Sequence, residues 1–282
     1  MELMKQVNLF MLTLFLTCSL YSQEPGQWKV LKTGAGGWIT GLDIHPSGSI
    51  MYARSDVGGA YRYDHTTQRW TQVVTASSIP SEDIAWDRYQ GVQSIVSDPT
   101  DDDRAYMAYD QNIYFSQDQG DTWQKTNFPE QELRANDDGS KLAGERLAID
   151  PANGQVVYYG SIEEGLYRTL DGQNWTKITA VPQGLEGRGV RSILFDSNGG
   201  MVAGRTARIY VVVDGVGVMK SNDGGTTWSN IVDNQFFTFG MPLIYDAEID
   251  AQGRLYICGE DLDDKGDADP FNDDYLNIGV LR

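Results

Sequence analysis

The sequence predicts an all-β protein of the β-propeller class, and three observations carry that prediction. Four tryptophans, Trp70, Trp123, Trp175 and Trp228, recur at intervals of 53, 52 and 53 residues. A second ladder runs in step with them, in which an apolar strand ends in an acidic or proline-marked turn: Leu42-Asp-Ile-His-Pro46, Ile95-Val-Ser-Asp-Pro99, Leu147-Ala-Ile-Asp-Pro151, Leu194-Phe-Asp196 and Glu248-Ile-Asp250. Between the ladders lie β-rich runs such as Val156-Val-Tyr-Tyr159, Ile209-Tyr-Val-Val-Val213 and Leu255-Tyr-Ile257, with no convincing helical pattern. A unit of several short strands repeated about every fifty residues is the mark of a propeller blade.

The chain opens with Lys5 close to its start, an apolar run from Val7 to Leu20, and a return to small and polar residues at Ser22-Gln23. This pattern predicts a secretory signal peptide over residues 1–22, cleaved after Ser22, because the apolar core is too short to span a bilayer. Cys18 leaves a lipoprotein signal open as the alternative. The propeller is then expected over residues 23–282, in a secreted or periplasmic protein with no membrane association after cleavage.

Net charge is −18, and it stays so without the leader because Glu2 and Lys5 cancel. Such a field repels phosphate backbones and anionic lipid surfaces, which argues against nucleic acid as a partner and is indifferent to a neutral polysaccharide. Of two cysteines only Cys258 lies in the predicted mature chain, so no intrachain disulfide is expected and Cys258 reads as a buried strand residue. Two histidines, His45 and His65, supply neither a metal cluster nor a Ser-His-Asp triad, and no cofactor is expected.

Three of the tryptophans close related turns: Ser116-Gln-Asp-Gln-Gly-Asp-Thr-Trp123, Thr169-Leu-Asp-Gly-Gln-Asn-Trp175 and Ser221-Asn-Asp-Gly-Gly-Thr-Thr-Trp228. These read as Asp-box hairpins, in which Asp118, Asp171 and Asp223 accept backbone amides while Trp123, Trp175 and Trp228 pack between neighbouring sheets. A fifth unit begins near Tyr245, but no tryptophan stands near residue 281, where its box would end. The expectation is an incomplete propeller of about four and a half blades, truncated before closure, since an open ring leaves sheet edges and apolar faces uncovered.

The stretch Ser55-Asp-Val-Gly-Gly-Ala-Tyr61 carries the most unusual local chemistry. By composition it is a turn between two strands, with Asp56 bonded to nearby amides. The segments Gly34-Ala-Gly-Gly-Trp-Ile-Thr-Gly-Leu-Asp-Ile-His-Pro46, Met51-Tyr-Ala-Arg-Ser-Asp-Val-Gly-Gly-Ala-Tyr-Arg-Tyr63 and Gly144-Glu-Arg-Leu-Ala-Ile-Asp-Pro151 resemble the N-terminal part of the glycoside hydrolase family 74 xyloglucanases. The resemblance runs, with gaps, over most of the chain from about Trp28. It implies that Asp56 is the catalytic base of an inverting endo-β-1,4-glucanase acting on xyloglucan or a related polysaccharide. In that family the general acid comes from a second propeller, so the resemblance also implies that this chain lacks the acid and is inactive alone.

Inverting hydrolysis needs two carboxyl groups roughly 6.5–9.5 Å apart, with room for a water between sugar and base. Sugars also need aromatic platforms, because pyranose rings present apolar faces. Trp38, Tyr61 and Trp86 are candidates, since they lie in or near the family-like segments, and the loop Ala85-Trp-Asp-Arg-Tyr-Gln-Gly91 is polar enough to line a cleft. The acidic run from Glu260 to Asp274 departs from a calcium loop, with Lys265 at one ligand position and Asn272 at another, and reads as a solvated insertion. Two readings from different classes stay open: a glycoside hydrolase portion, and a non-catalytic Asp-box propeller of the sortilin-like kind that binds polysaccharide or protein. A sialidase is disfavoured because no arginine cluster stands ready for a carboxylate substrate.

Overall fold

The computed structural model describes residues 36–85, 91–131, 133, 144–232, 242–261 and 276–281, all within the compact unit Thr33–Arg282. The predicted leader, Trp86 and most of the acidic run after Glu260 lie outside the described residues. Among the described residues, nineteen strands form five antiparallel meanders. The first sheet holds β1 (Ile39–Ile44), β2 (Met51–Ser55), β3 (Ala60–Asp64) and β4 (Arg69–Gln72). The second holds β5 (Val92–Asp98), β6 (Asp101–Tyr109), β7 (Asn112–Ser116) and β8 (Gln124–Lys125).

The third sheet is β9 (Leu147–Asp150), β10 (Asn153–Gly160), β11 (Leu166–Thr169) and β12 (Trp175–Lys177). The fourth is β13 (Val190–Val202), β14 (Arg205–Val213), β15 (Gly217–Ser221) and β16 (Ser229–Asn230). The fifth, described as three strands, is β17 (Pro242–Ile249), β18 (Leu255–Asp261) and β19 (Leu276–Leu281). The first strands of successive sheets touch one another in turn, β1 to β5 to β9 to β13 to β17. One 3₁₀ turn, Ser81–Asp83, is the only helical element among the described residues.

The repeat works because each inner sheet is apolar on both faces. In β6, Ala105, Met107 and Tyr109 point into the core shared with the first sheet, while Tyr106 and Ala108 point into the core shared with the third. Likewise Val157 and Tyr159 of β10 face backward, and Val156 and Tyr158 face forward. In β14 the split is Ile209, Val211 and Val213 against Tyr210 and Val212. Side chains alternate with period two along a strand, so a continuous apolar run fills two cores at once. At about 1.5–3 kcal/mol for each large apolar side chain buried, these cores hold the sheets together.

Hydrogen bonds tie one sheet to the next. Trp123 Nε1 donates to the Val73 carbonyl at 2.8 Å, and Trp175 Nε1 donates to Thr126 Oγ1 at 3.1 Å, so each indole reaches back to the preceding sheet. Trp228 packs against the core between the third and fourth sheets, its indole nitrogen buried and without a hydrogen-bond partner among the described residues. Asp150 at the end of β9 accepts from Thr206 N at 2.8 Å and Thr206 Oγ1 at 2.6 Å in the fourth sheet.

Two expectations need revision. Cys258 is half-buried, not buried: Leu255 and Ile257 of β18 face the core, and the two-residue period turns Cys258 the other way. The turn before Trp70, which lacks the glycines of the other three, nonetheless closes on an aspartate. Asp64 accepts from Thr66 N at 2.7 Å, Thr67 N at 3.2 Å and Thr67 Oγ1 at 2.7 Å.

Candidate functional site

Asp56 stands immediately after β2, at the start of the turn into β3, and Trp38 immediately before β1. The Trp38 amide donates to Asp56 Oδ1 at 2.7 Å, and the Asp56 amide donates to the Trp38 carbonyl at 3.1 Å. The carboxylate therefore continues the β1–β2 ladder by one more rung, beside the pair Ile39 and Ser55. Asp56 Oδ2 makes no hydrogen bond among the described residues. Asp56 is half-buried, and the Trp38 side chain is 60% exposed beside it.

The rest of the turn is pinned. Ser55 Oγ accepts from the Gly58 amide at 2.8 Å and donates to the Gly59 carbonyl at 3.2 Å. The Gly58 carbonyl accepts from Tyr61 Oη at 2.6 Å and Gln72 Nε2 at 3.1 Å. Two glycines are sterically required here. Gly37 has φ +95°, and a Cβ on it would lie 2.7 Å from Asp56 Oδ1; a Cβ on Gly58 would lie 2.2 Å from the Gly36 carbonyl oxygen. Tyr61, expected to meet sugar, is only 5% exposed, and in this structure its hydroxyl braces the turn.

Beside the turn, between the first and second sheets, lies a cavity of about 210 Å³ lined by Gly58, Gly59, Gln72, Thr75, Ile84 and Tyr109 among others. Among the described residues no charged side chain lines it, in a protein of net charge −18. Tyr109 ends β6 just before the turn into β7, the counterpart in the second sheet of the Asp56 turn. Asp56 and the cavity thus share one end of the sheets.

The turns closed by Trp123, Trp175 and Trp228 hold their aspartates by several bonds each, unlike the turn at Asp56. Asp118 accepts from Ser116 Oγ, Thr122 N and Thr122 Oγ1 at 2.7, 2.8 and 2.6 Å. Asp171 accepts from Asn174 Nδ2 and N, both at 2.7 Å, and from Gln173 N at 2.9 Å. Asp223 accepts from Thr227 Oγ1 at 2.6 Å and Thr227 N at 2.8 Å. The bonds from Asn174 and from Thr227 hold the Asp171 and Asp223 carboxyls well below the usual carboxylate range. Carboxylates so saturated act as acceptors inside turns.

Two further carboxylates had no role in the sequence reading. Asp43 on β1 accepts from Ser97 N and Oγ at 2.9 and 2.5 Å; burial pushes its carboxyl from 3.8 up to about 6, against those two bonds. Glu145 meets Arg54 at 2.6 Å across 91 positions of sequence. Among the described residues no group of three or more His, Cys, Asp or Glu side chains is arranged to hold a metal ion, and no helix is long and apolar enough to cross a membrane.

No family model matches the chain. A xyloglucanase of a Paenibacillus species is 35% identical over 268 residues, which is 83% of this chain and 24% of that protein. A xyloglucanase of Acetivibrio thermocellus is 31% identical over 285 residues, 88% of this chain and 32% of that protein. Among solved structures, the family 74 xyloglucanase of Xanthomonas campestris superposes with a TM-score of 0.68 at 28% identity, over 84% of this chain and 36% of that one. The chain thus spans about a quarter to a third of the length of these relatives. Similarity of sequence over most of its length, joined to the propeller fold, identifies the chain as glycoside hydrolase family 74 xyloglucanase-like.

Proposed function

We propose that this chain carries the base half of a xyloglucan-hydrolysing site, with Asp56 as the base of an inverting mechanism. The observation that carries the reading is the asymmetric hold on Asp56: one oxygen is fixed by the Trp38 amide, and the other makes no bond among the described residues. A base so held can take a proton from water at Oδ2 while its orientation stays set at Oδ1. The water oxygen then attacks the anomeric carbon from the face opposite the leaving sugar, and the glycosidic oxygen leaves with a proton from the acid. That acid is proposed to lie in a second propeller outside residues 1–282, in a secreted parent protein.

The substrate is a neutral β-1,4-glucan of the xyloglucan type, after the xyloglucanase relatives. An exposed indole at Trp38 and a cavity with no charged lining among the described residues suit a neutral ring and its branches. Trp86 is proposed as a further contact on the same resemblance. The Asp118, Asp171 and Asp223 turns are proposed as Asp-boxes of structural purpose. In the test, the chain alone releases no reducing ends from tamarind xyloglucan, whereas a parent containing both propellers does. Asp56→Asn lowers the parent's turnover by at least about 100-fold, in the range that general bases contribute. Retained turnover in Asp56→Asn removes Asp56 from the chemistry.

A second reading is favoured by the same exposed indole and cavity, which suffice for capture without cleavage. A non-catalytic propeller binds xyloglucan with equal affinity before and after the Asp56→Asn substitution, and shows no turnover in any parent form.

A further inference from the structure

The motif Gly144-Glu145-Arg146 precedes β9 of the third sheet, yet the Glu145 side chain reaches the first and second sheets. Its Oε1 accepts from Arg54 Nε at 2.6 Å, and its Oε2 accepts from Ser94 Oγ at 2.5 Å and Ile95 N at 3.2 Å. Ser94 Oγ in turn accepts from the Arg146 and Leu147 amides at 3.2 and 3.0 Å, so the hydroxyl is fully used and ties β5 to β9. Arg54 is 2% exposed and Glu145 25%. A buried guanidinium that loses its carboxylate is strongly unfavourable, so the pair stays closed.

Arg54 lies two positions before Asp56, and its Nη1 donates to Thr40 Oγ1 at 2.9 Å. Thr40 lies two positions after Trp38. The guanidinium therefore joins the same two strands that meet again, one step further on, at the bonds between Trp38 and Asp56. β1 is shaped around the pair: its register shifts between Ile39 and Gly41, and a Cβ on Gly41 would lie 2.5 Å from Arg54 Nε and 2.6 Å from Glu145 Oε1.

We propose that Glu145 is a positioning residue for Asp56: anchored on the second and third sheets, it fixes Arg54, and through Arg54 and Thr40 it fixes the two strand ends that clamp the carboxylate. The inference rests on the reading of Asp56 as the base. Its test does not need turnover.

The Trp38 amide is the donor to Asp56 Oδ1, so its hydrogen exchange, followed by NMR in the full chain, reports the clamp directly. The Gly225 amide, bonded to Ser221 Oγ in the fourth sheet, serves as the control. Glu145→Gln keeps the side-chain shape and removes the charge. It is expected to speed Trp38 exchange at least tenfold while Gly225 changes less than twofold. Ser94→Ala removes one donor to Glu145 and leaves the Arg54 ion pair, and it also frees the Arg146 and Leu147 amides. It is expected to give at least a threefold effect at Trp38 with the same control, and it decides the question where Glu145→Gln does not fold. Trp38 exchange that is unchanged, or that rises only in step with Gly225, overturns the proposal. Failure of the base reading is seen separately, as turnover that survives Asp56→Asn in the parent while the exchange result stands.

Discussion

Trp38 and Asp56 hold each other through the backbone: the Trp38 amide grips the carboxylate and the Trp38 carbonyl receives the Asp56 amide, while the indole is left outside. Orientation of the carboxylate and presentation of the ring are thus separate properties of one residue pair. Trp38→Ala is expected to weaken xyloglucan binding about tenfold, roughly 1.4 kcal/mol, and to leave the position-38 amide resonance bonded as before. Calorimetry and an amide spectrum of the same sample check both halves.

Gly37 occupies a left-handed conformation with the Asp56 carboxylate where its Cβ would be. Gly37→Ala combines strained backbone, at about 1–3 kcal/mol, with a direct clash against Oδ1. A lowered urea midpoint together with loss of amide protection at Trp38 is the expected outcome.

Asp43 gives a pH dependence of defined sign. Its carboxyl is raised in the folded chain from 3.8 to about 6, chiefly by burial, with the Glu145 charge adding to the rise. The neutral form is therefore favoured by folding, and that contribution is fully present below about pH 4 and is lost as pH rises through about 6. Asp43→Asn should gain stability relative to the native chain on going from pH 4 to pH 7. Urea midpoints of both chains across that range give the difference, which should grow with pH and level off above about 6.

Asp223 collects bonds from Ser221, Thr226 and Thr227 at the tryptophan-closed turn of the fourth sheet. Asp223→Ala strands those donors near the surface, and a loss of about 1–2 kcal/mol is expected. Because these bonds hold the native carboxyl below its ordinary range, the stabilisation is present above about pH 4 and fades as the pH falls. A urea midpoint difference that is large at pH 7 and shrinks steadily as the pH is lowered below about 4 is the signature.

Much of the fold was legible because its rules are local. The Trp70, Trp123, Trp175 and Trp228 spacing, the turn aspartates and the two-faced apolar strands depend on period and composition alone, so the repeated sheets could be read directly. The turn at Asp64 was missed because its hydrogen bonds need only a carboxylate and two threonines, without the glycines that mark the other three. Cys258 was misjudged because an apolar run does not say which face of an outer sheet is covered.

The sequence by itself determined the strand periodicity, the turn chemistry and the likeness to the family 74 xyloglucanases, since each is written in neighbouring residues. Only the tertiary structure decided what surrounds Asp56: the Trp38 amide 18 positions away, the burial of Tyr61, and the ion pair of Arg54 with Glu145 from the third sheet. The physical reason is that propeller sheets meet along faces and inner strands, so side chains far apart in sequence become neighbours through packing that no local pattern encodes.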